Sequence, residues 1–102
     1  MKTGIGLIAQ EREEQINKHG RTASHDLENN EHGDLGDAAS IMSMFEFGCN
    51  EPEEMAENFP HDWDREMCRK MINKPYRERL IIAGAMIAAE LDRMQLDPDH
   101  IE

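Results

Sequence analysis

Ten consecutive residues without a polar side chain, residues 80–89 (LIIAGAMIAA), constrain the fold more than any other feature of this chain. A helix on a protein surface shows one apolar stripe, whereas a helix that is apolar on every side is buried. The run is about half the length that a membrane span requires, and charged residues flank it. It therefore predicts a central helix over residues 78–94, with Ala83, Ile87 and Leu91 nearly inaccessible to solvent.

Composition limits the possible classes of function. The formal charge is −11, from 22 acidic and 11 basic residues. A nucleic-acid surface, which needs a basic face, is therefore not expected. The two cysteines lack the spacing of a disulfide framework and no signal peptide is visible, so we expect reduced thiols and a cytoplasmic protein. Strand-type alternation is nearly absent, which predicts one all-α domain over residues 1–102 with a frayed tail over 97–102.

Capping residues and turn signals predict the remaining helices. They cover residues 3–19, residues 34–47, one turn within 53–57, and a short helix that Asp62 caps and that carries Trp63. The first helix should bury one stripe, formed by Ile5, Ile8, Ala9, Arg12 and Ile16. Residues 20–33 contain few apolar side chains and are expected to be an irregular connector.

These elements predict a small bundle of three main helices plus the short helix. So few elements leave part of the central helix without cover inside one chain. We therefore expect a homodimer in which the helices of the partner complete the core.

Acidic and amide side chains on three predicted helices form a candidate cation site. Glu11 and Gln15 are one turn apart on the first helix, and Asp34 and Asp37 are one turn apart on the second. Glu90 ends the apolar run, where a partly buried carboxylate needs a partner. Carboxylates that share a site repel one another unless a cation neutralises them, and oxygen ligands without thiolates favour Mg²⁺ or Mn²⁺. Such a site could activate water against a phosphoanhydride.

Asp34, Asp37 and Glu90 also have a structural explanation. Asp34 and Asp37 at a helix start complement the helix dipole and cap free N–H groups. Glu90 could instead pair with Arg79, on the same line of its own helix, or with Arg12.

A His–Asp pair lies within residues 20–33. His25 and Asp26, with Glu28 and Glu31 nearby, could bind a metal. Hydrophilic loops also contain such pairs by chance, so the pair alone does not define a site.

Three segments carry a family resemblance: ERxxQ at residues 11–15, HD at 25–26 followed by G(D/E)LxxAA at 33–39, and RLxxAGAxIxAExDR at 79–93. As a set they resemble a family of small proteins that are common in phages and prophages and are mostly described as hypothetical. Some members are similar to the all-α nucleotide pyrophosphohydrolases of the MazG and dUTPase-like group. In that group E-x-x-E on one helix and E-x-x-D on another hold Mg²⁺ against a nucleoside triphosphate. In this chain Asp34 and Asp37 correspond to the first pair. In the second pair Glu90 corresponds to the glutamate, and Arg93 occupies the position of the aspartate.

The resemblance implies an Mg²⁺-dependent (or Mn²⁺-dependent) nucleoside triphosphate pyrophosphohydrolase, with deoxynucleotides as one candidate substrate class. The implied metal ligands are Glu11, Asp34, Asp37 and Glu90, with Glu11 and Glu90 also catalytic. The implied substrate-binding residues are Arg12, Gln15, His25 and Asp26. The alternative function is a non-catalytic phage or prophage accessory protein that binds another protein through its helices. Eight methionines would suit such an adaptable surface, and they would suit a core equally well.

Overall fold

The computed structural model describes residues 2–29, 33–44 and 52–96, and within these ranges the chain forms six α-helices and no strand. They are α1 (Gly4–His19), α2 (Ala23–Asn29), α3 (Asp34–Met42), α4 (Pro52–Ala56), α5 (Arg65–Ile72) and α6 (Tyr76–Leu96). The predicted all-α class is confirmed. α6 packs against α1, α2 and α3, and α5 packs against α3 and α4. No helix in the described ranges is long and apolar enough to cross a membrane.

Both ends of α1 are fixed by the residues that mark them in the sequence. The hydroxyl of Thr3 accepts a hydrogen bond from the N–H of Gly6 at 3.1 Å. At the other end Gly20 adopts a left-handed conformation, with φ at 65°. The N–H of Arg21 then donates to the carbonyl of Gln15 at 3.0 Å, which closes the helix. The predicted bounds of α1 are confirmed.

The buried face of α1 differs from the predicted stripe. Of the predicted stripe, Arg12 is buried, whereas Ile5 is 83% exposed and Ile16 is also exposed; Gln15, which was not part of the stripe, is buried. Arg12 donates to the carbonyl of Arg21 at 2.7 Å, so hydrogen bonds compensate for its burial. Apolar periodicity alone therefore overestimated the burial of Ile5 and Ile16, although both lie on the same line of the helix as the buried Arg12.

The stretch that was expected to be an irregular connector contains α2, so that prediction was wrong. Thr22 fixes the start of this helix, because its hydroxyl accepts from the N–H of His25 at 3.2 Å and its carbonyl accepts from the N–H of Asp26 at 3.0 Å. α2 packs against α6, and Asp26 is almost fully buried. Tertiary packing stabilises a helix too short to form alone, and apolar periodicity does not register a buried aspartate.

α3 ends at Met42, before the predicted end at residue 47, because residues 43 and 44 form a turn; residues 45–51 lie outside the described ranges. Arg79, only 1% exposed, fixes this end. Its guanidinium donates to the carbonyl of Met42 at 3.1 Å and to that of Met44, and its Nε donates to the carbonyl of Lys74 at 3.0 Å. One buried cation thus joins the end of α3 to the turn before α6.

Asp64, rather than the predicted Asp62, caps α5. Its carboxylate accepts from the N–H groups of Glu66 at 2.8 Å and Met67 at 3.1 Å. The predicted single turn of helix near residues 53–57 appears as α4. The predicted frayed tail, residues 97–102, lies outside the described ranges.

A half-buried arginine organises the turn between α4 and α5. Arg65 donates to the carbonyl of Ala56 at 2.7 Å and to that of Trp63 at 3.2 Å, and also to those of Phe59 and Pro60. The rings of Phe59 and Trp63 lie 6.0 Å apart and are tilted by 31°. Phe59 belongs to the hydrophobic core, so this turn holds Trp63 at the edge of the core.

α6 is covered on only part of its circumference. Its buried residues are Arg79, Ala83, Ala85, Met86, Ala89 and Arg93. Small side chains dominate this face and allow the neighbouring helices to approach closely, whereas Ile87 and Leu91 are 52% and 55% exposed. The predicted burial of Ala83 is confirmed, and that of Ile87 and Leu91 is wrong for the single chain. A run without polar residues does not reveal which side its neighbours cover.

Gly84 marks the close approach of α1 to α6, because a Cβ at this position would overlap the side chain of Ile8. In an ordinary helix interior, replacing Gly with Ala stabilises by about 0.5–1 kcal/mol. We expect Gly84→Ala instead to lower the free energy of unfolding by about 1–3 kcal/mol through overpacking. In an Ile8→Ala background the same substitution should show the ordinary gain. Urea titration of the wild type, the two single variants and the double variant measures the effect of Gly84→Ala on the free energy of unfolding in each background. A stabilising effect in the wild-type background would contradict the close approach of α1 to α6.

Cys68 is a free, fully buried thiol, and burial raises its pKa against the opposing effect of Arg65. Because the pKa is higher in the folded chain, the stability from the neutral thiol is complete below the unfolded pKa. It is lost as the pH rises through the folded pKa. Above about pH 8.5, urea titration should show a steeper loss of stability for the wild type than for Cys68→Ala. Equal slopes for the two proteins would contradict this effect.

Candidate functional site

A cavity of about 350 Å³ opens between α1, α3, α5 and α6. This volume lies in the range of small-molecule sites. The lining comprises an acidic and amide group (Glu11, Glu14, Gln15), a basic group (His19, Arg21, Lys74) and an apolar group (Leu35, Trp63, Met67, Met71, Ile82, Met86). One cavity therefore offers surfaces suited to a cation, to an anion and to an aromatic ring.

Glu11 and Glu14 stand one turn apart on α1 and form the acidic wall of the cavity. Both side chains are half-buried, and both also line a smaller depression of about 150 Å³ beside Leu7 and Ile81. The buried Gln15 donates from Nε2 to Oε2 of Glu11 at 3.4 Å, which orients the amide against the carboxylate. Two carboxylates from one helix thus border two adjoining hollows.

Of the eight residues predicted from the sequence, Glu11 and Gln15 line the cavity. Glu14, Arg21, Trp63 and Lys74 line it too but were not predicted as site residues. The spacing of Glu11 and Glu14, three residues apart on a helix, was a usable signal. Arg21, Trp63 and Lys74 come from three segments between helices, and no local pattern links these segments to one site.

The remaining predicted metal ligands lie around the start of α3. Oε2 of Glu90 accepts from the N–H of Gly36 at 3.4 Å, and Asp34 and Asp37 belong to the first turn of the same helix. These three acids are not part of the cavity lining. In the part of the chain that the structure describes, no group of three or more His, Cys, Asp or Glu side chains is arranged to hold a metal ion.

Glu90 is partly buried, as expected, and forms a salt bridge with Arg93 three residues further along α6. Both side chains are largely removed from solvent. The arginine that pairs with Glu90 is therefore neither Arg79 nor Arg12. The guanidinium and the positive end of the α3 dipole together compensate the charge of Glu90.

Arg12, His25 and Asp26 form a separate cluster that joins α1, α2 and α6 outside the cavity lining. The Nη2 atom of Arg12 lies 4.0 Å from one carboxylate oxygen of Asp26, and Nδ1 of His25 lies 3.4 Å from the other. Nε of Arg12 also contacts the carboxylate of Asp92 at 3.4 Å. The cluster anchors α2 to its neighbours, and this explains why an aspartate is buried there.

This anchoring role predicts different effects for two adjacent residues. Asp26→Asn should lower the free energy of unfolding by about 3 kcal/mol, because it breaks a buried ion pair. His25→Ala, which removes a more exposed side chain, should change it by less than about 0.5 kcal/mol. Urea titration measures both values. A stable Asp26→Asn protein with impaired ligand binding would instead assign Asp26 to a binding site.

No family model matches this chain, and no curated protein or solved structure matches it either. The resemblance to the phage family and to MazG-like enzymes therefore stays a prediction. The cavity and the residues that line it are the features of the chain that bear on its function.

Proposed function

We propose that the protein is a nucleoside triphosphate pyrophosphohydrolase that uses Mg²⁺ or Mn²⁺ and binds its substrate in the cavity between α1, α3, α5 and α6. The arrangement of the lining carries the proposal: two carboxylates on α1, three basic side chains, and a tryptophan among methionines. These surfaces complement a divalent cation, a phosphate chain and a base, respectively. Such an enzyme acts on the nucleotides of the cytoplasm.

The apolar wall suits a nucleoside base. Trp63 is half-buried and its backbone is held by Arg65, so its ring presents a fixed surface. Stacking of a base on an aromatic side chain contributes about 1–3 kcal/mol and tolerates different bases. Met67 and Met71 line the same wall and adjust to irregular shapes. The base would therefore enter this side of the cavity.

The phosphate chain needs positive charge in a chain whose net charge is −11. Arg21 and Lys74 supply it locally, and His19 lines the same cavity. Mg²⁺ in nucleotide enzymes is usually bound by one or two carboxylates together with substrate phosphates. Glu11 and Glu14 therefore suffice as protein ligands once the substrate is present, and no preformed cluster of three acids is needed. When bound, the ion would neutralise phosphate oxygens in the transition state.

The reaction splits the bond between the α- and β-phosphates. A water oxygen attacks the α-phosphorus, the bond to the bridging oxygen breaks, and a nucleoside monophosphate and pyrophosphate leave. The carboxylate of Glu11, which Gln15 orients, takes the proton of the attacking water. The basic side chains hold the departing pyrophosphate, whose charge increases as the bond breaks.

The test is a pyrophosphate-release assay with purified protein, the common ribo- and deoxynucleoside triphosphates, and either divalent ion. We expect equal amounts of monophosphate and pyrophosphate, and no product without the ion. Glu11→Gln and Glu14→Gln should each lower kcat/KM by about a hundredfold or more. Glu13→Gln is the matched control, because Glu13 is exposed on the same helix and does not line the cavity.

A second variant tests the base-binding wall. Trp63→Ala should raise KM by about tenfold with a smaller change in kcat, because stacking contributes equally to the ground state and the transition state. A nucleotide-dependent rise in melting temperature without pyrophosphate release would exclude hydrolysis and leave a nucleotide-binding protein. Absence of both signals for every triphosphate would contradict the assignment of the cavity.

A further inference from the structure

Three large apolar side chains form an exposed line along α6. They are Leu80, Ile87 and Leu91, whose spacing of seven and four residues places them on one side of the helix. Gly84 lies on the same line, and Ile8 of α1 packs over it. The apolar surface therefore continues across the glycine. We call these four α6 residues the α6 stripe.

The neighbouring helix extends this surface. α1 packs against α6 and exposes Ile5 and Ile16. Among the described residues, five of the seven large apolar side chains that are exposed belong to α1 or to the α6 stripe. Single exposed apolar residues are ordinary on a protein surface, whereas a concentration on two packed helices indicates an interface.

We propose that the α6 stripe is the contact between two copies of this chain, with the two α6 helices antiparallel. The charges at its ends support this arrangement. Arg77 is exposed one turn before Leu80. Asp92 directly follows Leu91, and its side chain is half-exposed although its Oδ2 atom lies 3.4 Å from Nε of Arg12. When Leu80 faces Leu91 of the partner subunit, Arg77 of each copy comes within about one helical turn of the opposite aspartate.

The stripe is therefore complementary to itself under a two-fold axis. With Leu80 opposite Leu91 of the partner subunit, the axis passes between residues 85 and 86, so the two Ile87 side chains lie on either side of it, near the centre of the contact. Each end of the contact then receives one Arg77–Asp92 pair, around an apolar centre, as in homodimer interfaces. A parallel arrangement would instead bring like charges together at both ends.

This contact uses a different side of α6 from the cavity. Ile82 and Met86 line the cavity and do not belong to the α6 stripe. The proposed dimer and the proposed enzymatic activity can therefore be tested separately. A negative result for one proposal does not contradict the other.

The first test measures mass by light scattering at micromolar concentration, where we expect about twice 11.7 kDa. Ile87→Glu should raise the dissociation constant by about a hundredfold or more, because it places unpaired charges near the centre of the contact. Leu96→Glu is the matched control: Leu96 is exposed on α6 but lies off the stripe. Circular dichroism should show unchanged helix content in both variants. A wild-type mass of 11.7 kDa, or an Ile87→Glu dimer as tight as the wild type, would overturn the proposal.

The second test determines the orientation by disulfide formation in a Cys49→Ser background. Leu80→Cys and Leu91→Cys proteins, once mixed and oxidised, should give a cross-linked heterodimer, because an antiparallel pair brings these two positions together. Each variant alone should cross-link at least about tenfold less efficiently. Efficient cross-linking of each variant with itself and not with the other would establish a parallel pair and overturn the proposed arrangement.

Discussion

Arg79 joins the end of α3 to the beginning of α6 through carbonyl oxygens. An ionised side chain that is only 1% exposed would destabilise the fold by several kcal/mol if its N–H donors had no acceptors. Here they meet the carbonyls of Met42, Met44 and Lys74. The last carbonyls of α3 also form the negative end of its dipole, so the cation and the helix stabilise each other. Lysine, a point charge without a planar fork, could not replace these directed bonds. Leu35 and Met86, which belong to the two helices that Arg79 joins, both line the cavity.

Local sequence signals predicted the elements better than their packing. Thr3 and Gly20 defined α1 correctly, because caps and left-handed turns depend on a few neighbouring residues. The apolar run of α6 predicted a helix but not its covered side, since alanines rather than Ile87 face the neighbours. α2 was missed because the side chain that anchors it is the charged Asp26, whose partner lies on another helix. These features are set by tertiary contacts, which periodicity within one segment does not encode.

The same distinction applies to the candidate site. Glu11 and Gln15 were found because a spacing of four residues on one helix can be recognised in the sequence. Trp63 and Lys74 reach the cavity only because the turns before and after α5 lie beside the same cavity as α1 in the folded chain. Glu90 illustrates a third situation. The apolar run predicted that Glu90 is partly buried. Which arginine pairs with Glu90 depends on side-chain geometry, and residue spacing alone did not identify Arg93 as the partner.

The bonds from Arg65 to the carbonyls between α4 and α5 bear on how fast a ligand exchanges. Because Ala56, Phe59 and Trp63 are tied to one guanidinium, the aromatic wall of the cavity is shaped before any ligand arrives. Binding to a preorganised wall costs little ordering entropy. A ligand that binds against Trp63 would then require no rearrangement of this turn. Differences in affinity between ligands that stack on Trp63 would accordingly lie in their residence times.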